Sequence, residues 1–165
     1  MSNRFTGAGP RYGLLQLALA CTFAALAGTA GAEGIHPYNL AGLPLLGDEW
    51  KPGNPYRGNA EIARAGGIAF NQNCARCHGV DAVASGTGGM PAPDLRKLDR
   101  YCRRIKDGAL KEACMADNDD YFRLTVLQGK TIVGVNHMPA WQGLLNQETV
   151  WAMKTFIESR SGAKP

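Results

Sequence analysis

The chain has 165 residues, 45% of them hydrophobic, and a formal net charge of +4 at neutral pH. This length suits one domain. Removing the first 32 residues leaves 16 Lys and Arg against 14 Asp and Glu. So small a basic excess, without a basic strand pattern interleaved with aromatic residues, argues against a nucleic-acid partner.

The first 32 residues have the three-part pattern of a secretory signal peptide. Arg4 and Arg11 precede an apolar stretch at 13–27, and Ala30-Gly31-Ala32 is a typical cleavage sequence. The stretch is short for a membrane span, with an uncleaved anchor as the alternative. We expect cleavage near Ala32, a periplasmic location, and a mature chain that does not span the membrane.

Residues 33–58 are predicted to be an extended N-terminal segment. Four prolines interrupt any long helix or strand there: Pro37, Pro44, Pro52 and Pro55. His36 also lies in this stretch. It is either a metal ligand or a solvated side chain.

A helix is predicted from about Asn59 to Cys77. Asn59 is a suitable N-cap. Ile62, Gly66 and Phe70 recur every four residues and form one stripe. A glycine in mid-helix costs about 1 kcal/mol relative to alanine. We therefore expect another backbone to approach closely at Gly66.

Cys74, Cys77 and His78 form C-x-x-C-H at the end of this helix, the motif that attaches a c-type haem. Residues three apart lie on one helical face, so both sulfurs can reach the vinyl groups of one porphyrin while His78 reaches its iron. Half a zinc site and a redox dithiol are the alternatives. Neither a βαβ pattern nor a second cysteine pair of zinc-site spacing supports them.

The next stretch, from Gly79 to Leu95, is predicted to be a loop, because it is rich in glycine and proline. It lacks the Gly-rich signature that cradles phosphate in a strand–turn–helix. Wrapping a flat cofactor is the better interpretation.

Residues 96–111 are strongly basic, and residues 112–120 are acidic. They form either a solvated pair of helices or a docking patch that steers a redox partner. With Cys74 and Cys77 assigned to haem, Cys102 and Cys114 remain as a pair. In an exported protein they are expected to form a structural disulfide worth about 3 kcal/mol.

Two further helices are predicted. One is expected from Tyr121 to Gln128, after the good starting residues Asn118, Asp119 and Asp120. Its apolar face is expected to hold Tyr121, Leu124, Val126 and Leu127. Residues 134–141 then form a loop in which Pro139 stiffens the turn after Met138. The last helix spans Gln147 to Arg160, with Asn146 as its cap.

Together these features resemble class I cytochrome c over roughly residues 59–161. The matching motifs run from Gly66 and Phe70 to Cys74-x-x-Cys77-His78, then Pro93-Asp94-Leu95, then Met138-Pro139-Ala140-Trp141. The resemblance implies an all-α cytochrome c fold, with three to five helices around one covalent haem c. Residues 1–32, 33–58 and 162–165 would be the signal peptide, the extended segment and a C-terminal tail.

The resemblance also implies specific roles for individual residues. Gly66 and Phe70 would meet Met153 and Phe156 where the first and last helices cross. The Pro93 carbonyl would accept a hydrogen bond from His78, and Leu95 would line the haem pocket. Met138 would be the sixth iron ligand, with His137 and Met90 as alternatives.

A narrower resemblance extends over residues 43–50 and 54–59 and over the Cys102/Cys114 insertion. These look like the small periplasmic cytochromes that accompany pyrroloquinoline-quinone (PQQ) alcohol dehydrogenases. The resemblance implies an electron carrier, not an enzyme, with a quinoprotein alcohol dehydrogenase as donor and a terminal oxidase or another cytochrome as acceptor. A haem enzyme or gas-binding protein, and a cytochrome subunit of a larger oxidase, are the alternatives.

Overall fold

The computed structural model describes residues 39–87 and 92–161. The predicted signal peptide, His36, Met90 and the C-terminal tail lie outside the described residues. Within them the chain is mostly helical, as predicted. The α-helices are α1 (Ala60–Asn73), α2 (Ala75–His78), α3 (Gly108–Gln128) and α4 (Gln147–Arg160). Three short 3-10 helices span Val80–Ala82, Leu95–Lys97 and Cys102–Arg104, and two strands, β1 (Lys130–Ile132) and β2 (Val135–Met138), form an antiparallel pair.

Helix α1 begins as predicted and ends earlier than predicted. The Asn59 side chain accepts hydrogen bonds from the backbone N–H groups of Glu61 and Ile62, at 3.0 and 3.1 Å. The single helix expected to reach Cys77 is interrupted at Cys74, whose φ of −116° departs from the helical value. The haem motif therefore lies on a helical turn of its own, α2.

Helices α1 and α4 cross at Gly66, which confirms the close approach expected there. A Cβ atom on Gly66 would lie 1.9 Å from the backbone oxygen of Ala152. Next to the crossing, the Phe70 and Phe156 rings pack with their centroids 5.4 Å apart. Only a residue without a side chain allows the two backbones to come this close.

Helix α3 begins thirteen residues before the predicted start, so the prediction that Asn118, Asp119 and Asp120 open it is wrong. Its N-cap is Asp107, whose side chain accepts from the backbone N–H of Leu110 at 2.8 Å. Its buried face differs as well, because Phe122 is buried while Tyr121 and Leu124 are exposed.

The acidic stretch 112–120 is only partly the solvated surface that a pair of exposed helices would give, because Glu112 and Asp117 are exposed but one acid is not. Asp119 is fully buried in the middle of the helix. Asp99, which precedes the short helix at Cys102–Arg104, is fully buried too. Both are paired with basic side chains from distant parts of the chain, as described below.

A β-hairpin follows α3, where the sequence predicted a loop. Lys130 pairs with Met138, and Ile132 pairs with Val135. Gly129 connects helix and hairpin with a φ of +72°, and a Cβ atom there would lie 2.4 Å from the backbone oxygen of Met138. β-branched residues favour strands, and they lie in both strands of the hairpin: Thr131 and Ile132 in β1, and Val135 in β2.

Helix α4 has the predicted bounds and is buried from Gln147 to Glu158. The Asn146 side chain accepts from the backbone N–H of Thr149 at 3.0 Å, which confirms the predicted cap. Residues 39–58, called the arm below, form no helix or strand and run along α4. Backbone N–H groups of the arm, at Leu40 and Leu46, donate to side chains of α4 at 2.9 and 2.8 Å.

No helix in residues 39–87 and 92–161 combines the length and the apolar character that a membrane span requires.

Candidate haem site

The two cysteines of the motif lie one helical turn apart. The backbone N–H of His78 donates to the backbone oxygen of Cys74 at 3.0 Å, and the N–H of Cys77 donates to the same oxygen at 3.1 Å. This turn places the side chains of Cys74 and Cys77 on one side of α2. Both thiols are free, and both residues are partly buried.

The imidazole of His78 is held from the side away from its potential ligand atom. Its Nδ1 lies 3.2 Å from the backbone oxygen of Pro93. A proton on Nδ1 is donated to this carbonyl, and Nε2 is then the nitrogen available to a metal. Burial lowers the pKa of His78, opposed in part by the contact with Pro93. The neutral form, which is the form that binds metals, is therefore favoured.

The surroundings of Cys74 are apolar. Its sulfur lies 3.9 Å from the sulfur of Met153, and the residue packs against the main hydrophobic cluster. Burial, with a smaller contribution from Cys77, raises the pKa of the Cys74 thiol to about 12. The neutral form of this sulfur is therefore favoured in the apolar surroundings, and a thioether sulfur is neutral. Among the described residues no group of three or more His, Cys, Asp or Glu is arranged to hold a metal ion.

The loop after His78 folds back tightly over the end of α2. A Cβ atom on Gly86 would lie 2.4 Å from the backbone oxygen of Cys77, and one on Gly79 would lie 2.6 Å from the backbone nitrogen of Ser85. Three other residues of the loop have left-handed φ values: Asp81, Ala82 and Ala84. Such backbone is costly for residues with a side chain. The loop is thus a compact cover for the motif.

Met138 lies at the end of β2, partly buried against the main hydrophobic cluster. The residues after it are tied to α3, since the backbone N–H groups of Trp141 and Gln142 donate to Val126 and Leu127 at 3.0 and 3.1 Å. Its neighbour His137 is exposed. Of these two candidate ligands, the thioether is therefore the one that faces the interior.

Leu95 also packs against the main cluster, at the start of the short helix that follows Pro93. Asp94 caps that helix by accepting from the backbone N–H of Arg96 at 3.1 Å. The three residues of Pro93-Asp94-Leu95 therefore have separate contacts. Pro93 holds the imidazole, Asp94 fixes the turn, and Leu95 fills the interior.

Taken together, two thiols on one helical turn, an imidazole with an oriented ring and an inward-facing thioether suit one cofactor. A covalent haem needs two thioether bonds, a nitrogen ligand and a second iron ligand, and these residues are of the chemical types that such a set requires. The fold and site define the class of helical proteins that hold haem through C-x-x-C-H.

Comparisons with known proteins point in the same direction. Residues 61–157 match the family described as cytochrome c oxidase, cbb3-type, subunit III. The chain is 34% identical over 151 residues to cytochrome c550 of Pseudomonas aeruginosa, an alignment that covers 89% of this chain and 91% of that one. No solved structure matches significantly.

A second relative is much longer than this chain. It is the cbb3-type cytochrome c oxidase subunit FixPc of Rhizobium leguminosarum bv. viciae, 33% identical over 101 residues. The alignment covers 61% of this chain and 29% of that protein. The similarity is therefore to one part of a larger protein.

The chain belongs to the class I c-type cytochromes. Its cofactor is covalently bound haem c, and it is an electron-transfer protein and not an enzyme.

Two features of the site region were missed by the sequence analysis. One is the close approach of Gly86 to the end of α2, which the glycine content of the loop indicated only in general terms. The other is the hairpin that carries Met138. Its sequence signal was Gly134 between the β-branched run Thr131-Ile132-Val133 and Val135, a pattern typical of a tight turn.

Proposed function

We propose that this chain is a periplasmic electron carrier with a single haem c attached through Cys74 and Cys77. His78 and Met138 are the axial ligands, Pro93 orients His78, and Leu95 lines the pocket. The observation that carries this proposal is the 3.2 Å contact between His78 Nδ1 and the Pro93 oxygen, next to two free cysteines on one helical turn.

We propose the same domain organisation that the sequence predicts. Residues 1–32 are a signal peptide cleaved near Ala32, residues 33–58 an extended segment, residues 59–161 the cytochrome domain and residues 162–165 a tail. The disulfide between Cys102 and Cys114, with Cα atoms 5.5 Å apart, supports export, because disulfides persist in oxidising compartments.

Haem c, when bound, supplies a one-electron iron couple. The residues of the chain set the conditions for it. The Pro93 carbonyl fixes the tautomer of His78, so that Nε2 is presented without rearrangement. Met138, as a neutral iron ligand together with His78, would raise the reduction potential of this couple. The buried rings of Phe70 and Phe156 exclude water from this side of the site.

The axial role of Met138 can be tested by Met138→Ala, with His137→Ala as a matched neighbour. We expect Met138→Ala to abolish the sulfur-to-iron charge-transfer absorption and to lower the reduction potential. The exposed His137 should be replaceable without either change. An unaltered spectrum in Met138→Ala, or loss of the band in His137→Ala, would assign the ligand elsewhere.

For the electron donor we propose a quinoprotein alcohol dehydrogenase. The support is the resemblance of residues 43–50 and 54–59, and of the disulfide insertion, to the cytochromes that accompany such enzymes. In the structure residues 43–50 and 54–58 belong to the arm. The Tyr56 hydroxyl donates to the Pro44 backbone oxygen within the arm, and the backbone N–H of Asn54 ties the arm to α3 by donating to Asp119 at 2.8 Å. The arm is thus an integral part of this cytochrome.

The donor assignment is tested by mixing the oxidised holoprotein with a PQQ-dependent alcohol dehydrogenase and its alcohol. We expect the haem absorption to change to that of the reduced form at a rate set by the concentration of dehydrogenase. The same mixture without alcohol is the control. If a chemical reductant reduces the haem but the dehydrogenase with alcohol does not, the donor is a different protein.

A terminal oxidase or another cytochrome is the proposed acceptor. The matched family is described as an oxidase subunit, and FixPc is named as one. The same observation favours a second candidate function, in which this chain is itself a cytochrome subunit of an oxidase. Size measurement of the native complex separates the two, because a carrier elutes at its own mass and a subunit elutes with the oxidase.

A further inference from the structure

The basic segment 96–111 divides into paired and unpaired charges. Arg96 and Lys97 form ion pairs with Asp94 at 2.9 and 3.5 Å. Arg103 donates to the backbone oxygen of Glu158 at 2.9 Å and lies 4.0 Å from the buried Asp99. These three cations serve contacts within the domain.

Four other cations of the segment are exposed and make no ion pair with any described residue: Arg100, Arg104, Lys106 and Lys111. We call residues 100–111 the basic lobe. Two acids are exposed in or beside it, Asp107 and Glu112, and the Asp107 carboxylate is engaged in capping α3. The lobe therefore presents a net positive surface.

The basic lobe also exposes large apolar groups. Tyr101 is 77% exposed and Leu110 is 60% exposed. Both side chains therefore present most of their surface to solvent. Interfaces between proteins are rich in tyrosine at their centres, because its ring adds contact area at low entropy cost.

The basic lobe is held rigidly. The Cys102–Cys114 disulfide links its short helix to α3, and Cys102 is buried. Asn118 donates to the backbone oxygen of Leu98 at 3.2 Å and adds a second tie. A surface whose shape is fixed in advance loses little entropy on binding.

A cleft of about 490 Å³ lies beside the basic lobe and is continuous with it through Arg103 and Lys111. Met115, Ala60 and Ala63 form apolar parts of its wall. Its one acid, Glu158, is already paired with Lys154 at 3.0 Å. The cleft thus combines an apolar floor with basic groups at its margin.

We propose that the basic lobe and this cleft form a docking surface for an acidic protein partner. An apolar side chain of the partner, flanked by carboxylates, fills the cleft, and the carboxylates face Arg104 and Lys111. We choose an acidic partner because its negative charge is complementary to the positive charge of the basic lobe. The role in electron exchange rests on the proposed carrier function, with the redox donor as the partner.

Charge reversal tests the role in electron exchange. Arg104→Glu and Lys111→Glu are compared with Lys51→Glu, which makes the same change in the arm, beside Gln147 at the start of α4 and outside the lining of the cleft. With the quinoprotein dehydrogenase, we expect the first two to lower the second-order reduction rate about tenfold at low ionic strength and the third to leave it nearly unchanged. The difference should vanish at high salt. Equal effects from all three variants, or no effect of salt, would overturn the proposal.

A second measurement does not depend on the donor. Amide NMR spectra of the holoprotein are recorded during titration with a synthetic Glu/Leu peptide and, separately, with phosphatidylglycerol vesicles. We expect the peptide to shift signals of residues 100–111 and of Ala60, Ala63 and Met115. Absence of these shifts overturns the docking surface. Binding of vesicles alone assigns it to a lipid surface and overturns the proposal as well.

Failure of docking and failure of the proposed function give different results. If the peptide shifts these signals but the dehydrogenase does not reduce the wild-type haem, the surface stands and the donor assignment falls. If the dehydrogenase reduces wild type and Arg104→Glu equally well and the peptide does not bind, the donor stands and the surface falls.

Discussion

The two long sides of α4 are buried in opposite ways. Toward α1 the helix is apolar and in direct backbone contact, with Ala152 against Gly66 and Phe156 against Phe70. Toward the arm and α3 it buries polar and charged side chains, among them a fully buried lysine, Lys154. One helix therefore uses close packing on one side and hydrogen bonds on the other.

The polar side is centred on Lys154. Its Nζ lies 2.8 Å from Asp99, 3.0 Å from Glu158 and 3.5 Å from Asp119. Arg57 of the arm pairs with Asp119 and with Glu158. Two cations and three acids meet here, and Arg103 approaches Asp99 at 4.0 Å. Six charges that would be costly alone are thus brought into balance.

The two sides of α4 depend on the sequence in different ways. The apolar side needs the right volume at each position, and equal volumes can be exchanged there. The polar side needs particular partners, because a buried charge without its partner is strongly destabilising. Substitutions on the two sides of α4 can therefore test this difference.

The polar side should be most sensitive at its centre. Lys154→Met leaves Asp99 buried without its ammonium partner, so we expect a loss of about 3–5 kcal/mol in the free energy of unfolding. Denaturant titration followed by circular dichroism measures it. The double variant Lys154→Met with Asp99→Asn should recover part of the loss, because the uncompensated charge is gone. No recovery would mean that packing, not charge, is limiting.

The apolar side should be most sensitive to added volume at the crossing. In Gly66→Ala the new methyl group meets the backbone of Ala152, which cannot move aside like a side chain, so we expect a loss of about 3 kcal/mol. Gly108→Ala is the control, because a Cβ atom there has no neighbour within 4 Å. It should be neutral or slightly stabilising. A tolerated Gly66→Ala would contradict the close crossing.

The arm gives the polar side a dependence on pH. Burial, with a smaller contribution from Glu148, raises the pKa of Tyr56 from 10.0 to about 12. The folded state thus holds the proton more tightly than the unfolded state does. This contribution to stability is complete below pH 10 and is lost as the pH rises to about 12. The difference between the denaturation midpoints of wild type and Tyr56→Phe should be smaller at pH 12 than at pH 8. A difference that does not change with pH would contradict this role of Tyr56.

The smallest effects are expected from two substitutions that each replace a side chain by one of nearly the same volume. Thr155→Val removes a hydroxyl that bonds to Asn54 and to the Trp151 backbone oxygen, at 3.0 and 2.8 Å. We expect a loss of about 1–3 kcal/mol, because the buried partners are left unsatisfied. On the apolar side Met153→Leu keeps the volume and should cost less than about 1.5 kcal/mol. Equal losses measured by denaturation would remove the distinction.

The apolar side and the haem motif could be predicted from the sequence. The spacing of Gly66 and Phe70 shows one face of a helix, and C-x-x-C-H has a local geometry that follows from its spacing. The bounds of α4 and its Asn146 cap are also local signals. Each of these depends on residues close to one another in the chain.

The polar side could not be predicted in the same way. Asn118, Asp119 and Asp120 are residues that favour helix starts, and their local preference led to the wrong N-terminus for α3. Asp119 lies in mid-helix because its partners are Arg57 and Lys154, at long sequence distances. The position of Pro93 beside His78 was likewise expected only from the family resemblance.

The contacts of the arm with α4 join segments that are made at very different times during synthesis. The hydrogen bonds from Leu40, Leu46 and Lys51 reach α4 residues 109, 102 and 96 positions later. The arm is therefore made long before α4, and these three backbone groups have no partner until α4 has been synthesised. Cys74 and Cys77 precede α4 in the chain. They can therefore be joined to haem before the arm packs against α4, and packing of the arm is a late step of folding.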